Sequence, residues 1–171
     1  MKILNNTKKD FSGDVLLIDP CYIKGKLSDR WDDFCKLMFA DYLNSDICKK
    51  GLLQFCGAEI LYCGTAYGDG GYGVKLNGTE IGVCGVDAGL LCAVSVEDLD
   101  KICSFEQIEE AKKDGVIIKD FMGTVVATEY HSIEGSGVST NDGKMMEFDV
   151  QTDGRDEEEF EEEDDEFDEE E

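Results

Sequence analysis

The forty residues from Gly57 to Val96, GAEILYCGTAYGDGGYGVKLNGTEIGVCGVDAGLLCAVSV, constrain this chain more than any other stretch. Three apolar, β-type runs alternate there with two tight glycine-rich turns. Asn77-Gly78 is the strongest short signal for a two-residue hairpin, so Tyr72–Leu76 and Glu80–Val86 are expected to pair. Leu52–Cys56 and Ala58–Cys63 read as strands joined at Gly57, and Leu90–Val96 as the next strand. Two acids, Asp69 and Asp87, sit among the glycines.

Upstream, Asp14–Ile18 (DVLLI) is a continuous apolar run that fits a strand buried on both faces. Pro20 ends it, since proline cannot donate to a strand ladder. The phrase Asp19-Pro20-Cys21-Tyr22 is expected to meet the glycine-rich stretch in the fold. Residues 1–13 read as a short strand or arm that turns at Phe11-Ser12-Gly13. Ser28 reads as the N-cap of a helix with Asp29, Asp32 and Asp33 in its first turn. Trp31, Phe34, Cys35, Met38, Phe39, Tyr42 and Leu43 form its apolar stripe, and Lys49-Lys50-Gly51 closes it. Glu97 opens a short helix, and Ser104 caps another over Phe105–Lys113. Val116–Lys119, Gly123–His131 and Lys144–Gln151 read as strands, with a loop at Gly135-Ser136-Gly137 and a hairpin turn at Asn141-Asp142-Gly143. These eight to ten short strands and two or three helices predict a β-rich α+β single domain. Hairpin signals dominate, so the sheet is expected to be mostly antiparallel, and curled or a partly open barrel.

Charge divides the chain. Of 171 residues, 40 are acidic and 16 are Lys or Arg, and the last sixteen, Asp156–Glu171, hold fourteen of the acids with Phe160 and Phe167. The net charge of −24 therefore splits into −14 for 156–171 and −10 for 1–155. The expected division is a globular part, 1–155, with a helical insert near 28–50, and a disordered acidic tail, 156–171. Phosphate backbones repel so acidic a chain, which argues against direct nucleic-acid binding and for basic protein partners of the tail. The eight cysteines lie mostly in apolar runs, where Cys packs as a small hydrophobe. No C-x₂₋₄-C pair occurs and His131 is the single histidine, so no zinc site is expected. No apolar leader opens the chain and no run approaches a membrane span, so reduced thiols and a cytoplasmic setting are expected, with no membrane contact.

Three sets of residues could carry chemistry. Gly68-x-Gly70-x-x-Gly73 matches a dinucleotide fingerprint literally, but a strand pattern follows it where a helix is needed, and Asp69 would repel phosphate. The glycines serve a tight turn with positive φ, or let a ligand approach the backbone. Asp19, Asp69 and Asp87 each stand where a strand meets a turn. They could converge on a divalent cation, or each could cap its own turn. Cys21 with His131 could form a thiolate–imidazole pair, although nothing in the sequence supplies the cation or helix N-terminus that activates a thiol.

The motifs Asp19-Pro20-Cys21-Tyr22, Tyr67-Gly68-Asp69-Gly70-Gly71-Tyr72-Gly73 and Val86-Asp87-Ala88-Gly89-Leu90 resemble those of small uncharacterised proteins of bacteria and their phages. The resemblance covers roughly residues 14–95. It implies a compact cytosolic β-rich domain and brings no activity with it. The expectation is a non-enzymatic binding protein without a cofactor. Its ligand or peptide surface would be built from Asp19, Cys21, Tyr22, Tyr67, Asp69, Tyr72 and Asp87. The alternatives are a metal-dependent hydrolase using Asp19, Asp69 and Asp87, and a nucleic-acid-mimicking inhibitor acting through the tail.

Overall fold

The computed structural model describes residues 2–4, 7–38, 50–128 and 131–140. Strands β1 (Lys2–Leu4) and β2 (Lys8–Ile18) come first, then a 3₁₀ turn over Pro20–Tyr22 and helices α1 (Lys26–Asp29) and α2 (Trp31–Met38). Next are β3 (Lys50–Phe55), β4 (Ala58–Gly64), β5 (Gly70–Leu76), β6 (Thr79–Val86) and β7 (Leu90–Ser95). Helices α3 (Val96–Leu99) and α4 (Phe105–Asp114) lead to β8 (Val116–Ala127), β9 (Ile133–Gly135) and β10 (Val138–Thr140). The expected strand 144–151, the turn at 141–143, the helical stripe beyond Met38 and the tail 156–171 lie outside the described residues.

All ten described strands join one antiparallel sheet in the order β1-β3-β4-β7-β2-β8-β9-β10-β5-β6. The order has two ends, β1 and β6, so the sheet is not closed into a barrel. The apolar run in β2 explains its central place. Val15 and Leu17 enter one core with Leu61, Leu91, Tyr72, Val74 and Cys84. Leu16 and Ile18 enter a second core with Phe34, Leu53, Ile60, Val94 and Ile108. One core is thus roofed by the β5–β6 hairpin and the other by the helices. The strand's alternation puts a buried apolar side chain on each side in turn, as period-two geometry requires. Across the first core the Cys84 thiol donates to the Leu17 carbonyl at 3.2 Å.

Two of the hairpin tips form for a local reason. Asn77 (φ +53) with Gly78 (φ +86), and Cys56 (φ +53) with Gly57 (φ +90), hold the paired left-handed conformations of a two-residue turn.

Several readings need correction. Phe11-Ser12-Gly13 is not a turn, because β2 runs through it against β8, and the register slips between Gly13 and Val15. On the opposite strand Asp120 takes a left-handed φ of +50, and the Asp14 carboxylate accepts its N–H at 2.9 Å. The breaks read at Gly13 and Asp120 are one bulge in two long strands. Ser28 does not cap a helix; it lies inside α1, and its hydroxyl donates to the Gly25 carbonyl at 3.1 Å. The expected single helix is broken at Arg30, whose φ is −120. Lys50 does not close a helix but opens β3. The described residues hold four helices, not two or three, and their loop at 135–137 is the tip of the β9–β10 hairpin. Among the described residues no helix is long and apolar enough to cross a membrane.

Candidate functional site

At one end of the sheet β2 and β4 run out, and β5 and β7 begin. Three loops meet there: 19–22, 65–69 and 87–89. Asp19 joins two of them. Its side chain is fully buried, and Oδ1 accepts the Cys21 N–H at 2.9 Å, capping the 3₁₀ turn. Oδ2 accepts the N–H groups of Asp87 at 2.8 Å and Ala88 at 2.7 Å. Three charge-assisted bonds thus satisfy a buried carboxylate and clamp the β6–β7 turn against the end of β2. The Tyr22 hydroxyl adds a second tie by donating to the Asp87 carboxylate.

The third loop is held by neutral groups. Thr65 donates its N–H to the Gly89 carbonyl at 2.9 Å and its hydroxyl to the Gly68 carbonyl at 2.7 Å. Tyr72 is fully buried in the first core. Its hydroxyl donates to the same Gly68 carbonyl at 2.8 Å and accepts the Tyr67 N–H at 3.1 Å. Gly68 has φ +77 with open space over its α-carbon, so its backbone, not crowding, requires glycine.

The structure therefore sorts the expected site residues. Asp19 is buried and works as a clamp. Tyr72 presents no ring face, because the core encloses it. Tyr67 is half exposed, Tyr22 and Cys21 are partly exposed, and Asp69 and Asp87 are exposed. The surface actually offered is Tyr22, Tyr67, Gly68, Asp69, Asp87 and Ala88. Asp69 is not drawn into the Asp19–Asp87 pair. Among the described residues no group of three His, Cys, Asp or Glu is arranged to hold a metal ion. Thr65 escaped sequence reasoning, because its hydroxyl finds the Gly68 carbonyl only once the 65–69 loop has closed.

Burial, the Asp19 charge and hydrogen bond, and the Asp87 charge push the Cys21 thiol up to about 12. Burial does the same at Cys84, also to about 12. Both remain protonated at neutral pH, the opposite of what a thiolate nucleophile needs. His131 lies in the β8–β9 connection, with φ +62 and its N–H on the Thr128 carbonyl at 3.1 Å. Chemically, this end can offer carboxylates, tyrosine faces and open backbone to a cation-bearing ligand.

The chain matches no protein-family model, no curated protein and no solved structure.

Proposed function

We infer that this is a non-catalytic binding protein, and that its Asp19-clamped end receives a positively charged segment of a partner protein. One observation carries the reading: a fully buried carboxylate, with no cation paired to it among the described residues, holds an exposed acid and a tyrosine in fixed relation. Three amides bond to this one side chain, so the acid and the tyrosine are held on a fixed frame rather than on a loose turn. Tyr22 and Tyr67 would pack on the aliphatic stems and heads of Lys or Arg, and Asp69 and Asp87 would take their charges. The motifs that resemble bacterial and phage proteins are the loops that meet here. A cytoplasmic setting agrees with this reading.

The test is an NMR titration of the full-length chain with a Lys/Arg-rich decapeptide at low ionic strength. Shifts at Tyr67, Gly68, Asp69 and Asp87, with binding weakened about tenfold in the Asp69→Asn/Asp87→Asn double variant, are expected from two lost charge contacts. Absence of binding overturns the reading. Shifts confined to 156–171 move function to the tail.

That second reading has its own observation, the fourteen acids in sixteen residues at Asp156–Glu171. Such a polyanion would occupy the nucleic-acid cleft of a basic protein. Its binding should weaken steeply with salt and vanish on deletion of 156–171. No observation favours the metal-dependent hydrolase, since the oxygens of Asp19 are engaged by amides and Asp69 stands apart.

A further inference from the structure

The sheet ends on β6, so one side of that strand's backbone has no strand beside it among the described residues. Natural sheets blunt such an edge with lysine, proline or inward charges. Between Gly82 and Val86 this strand has none of these. Its pairing with β5 is regular over that stretch, the register slip lying at Val74/Lys75 on the turn side of it. Ile81 is 40% exposed and Val83 52% exposed, a β-branched strip on the outer face. Gly85 follows on the same face, with nothing within 4 Å of the place a Cβ would take.

Electrostatics decides what can approach. The chain carries −24, of which −10 falls within residues 1–155, so the approach of a second copy is opposed by charge. The hairpin Gly70–Val86 is the exception, because its only charged residues are Lys75 and Glu80, which stand opposite each other in register. The side-chain pattern is also self-complementary. An antiparallel pair of β6 strands centred on Cys84 sets each Val83 opposite the partner strand's Gly85, a branched side chain over an open gap on both sides of the two-fold axis. We propose that β6 is a homodimer edge, pairing with β6 of a second copy over Gly82–Val86 to continue the sheet across two molecules. Five residues a side is a small contact beside the ~1,200 Å² of stable interfaces, so the dimer is of the weak, concentration-dependent class.

Sedimentation velocity of the full-length chain, from micromolar to about 1 mM and at two ionic strengths, tests this. A dimer that grows with concentration, and also with salt as the repulsion of −24 is screened, is expected. Val83→Lys should weaken it about tenfold or more, by setting an edge charge in the seam. Gly85→Lys should do the same, and it has room to fold because its side chain enters open space. Met122→Lys, on an exposed residue of β8, should leave the dimer intact. Circular dichroism confirms that each variant is folded. A chain monomeric throughout, or a dimer equally strong in folded Val83→Lys and Gly85→Lys, overturns the proposal. So does a dimer that Met122→Lys disrupts as much as they do.

Discussion

Two buried aspartates anchor opposite ends of β7, and they are answered differently. Asp98, in α3 after β7, accepts the Glu59 N–H at 3.1 Å, and a cation of its own turn, Lys101, reaches it at 2.9 Å. The Ser95 hydroxyl caps the same short helix by accepting the Asp98 N–H at 3.0 Å. That end is closed on itself, with its charge neutralised locally. Asp19, before β7, binds three amides, one of them the N–H of another acid, Asp87, whose own carboxylate accepts the Tyr22 hydroxyl. Its negative potential is therefore left to act outward. The first aspartate staples a fold, whereas the second staples loops beside an exposed acid.

Removing each staple in turn tests that distinction. Asp19→Ala strips three part-buried amides of their acceptor, and a loss of about 3–5 kcal/mol in urea unfolding is expected. A loss under about 1 kcal/mol would mean that water replaces the carboxylate freely and that the clamp is not one. Asp98→Ala should cost less, about 1–2 kcal/mol, because one amide and an exposed cation lose a partner. If the two losses were reversed, the contrast between the ends would fail. Tyr72→Phe keeps the buried ring and removes only the hydroxyl that ties the 65–69 loop. About 1 kcal/mol should go, with faster hydrogen exchange at Tyr67, the Asp19 clamp unchanged.

Titration sharpens the comparison most gently. Burial and neighbouring acids raise Cys21 to about 12, and burial with Asp100 raises Cys103, just after α3, to about 11. A raised thiol pKa means that the folded chain keeps a proton the unfolded chain gives up near its ordinary value of 9.0. The stability it contributes is complete below that value and is lost as pH rises through the folded pKa. The urea midpoint should therefore fall from about pH 9 upward. Asp87→Asn should lower the Cys21 value and leave that of Cys103 unchanged, as read by pH-dependent alkylation. Equal movement at both would sink the idea that the acidic field is local to one end.

Much of this was legible where local chemistry decides the matter. Asn77-Gly78, Ser104 before Phe105 and the apolar Asp14–Ile18 run each act through their own backbone or period, and the structure places a hairpin, a capping box and a two-faced strand there. Illegible were features set by a distant partner. Gly13 looks like a turn until Phe121 is opposite it, and Ser28 looks like a cap until Gly25, with φ +80, starts α1 earlier against the Ile102 carbonyl. Among the site residues, the sequence offered Asp19, Asp69 and Asp87 as equals, because each stands where a strand meets a turn. Only the fold distinguishes Asp19, which is enclosed, from Asp69, which is not. Tyr72 followed the same logic, since nothing in a Gly-Tyr-Gly run says which face of β5 is roofed.

The central position of β2 sets a timetable. Its neighbours are β7 and β8, so Leu16 waits for Val94 on one side and Lys8 for Val126 on the other. As the chain is synthesised, this central strand is made before β7 and β8 and is among the last to gain both ladders. Chains dominated by such distant pairings fold in milliseconds to seconds rather than microseconds. During that interval the Val15–Ile18 run has neither roof nor flank, and it is the segment a chaperone or an aggregate would meet first.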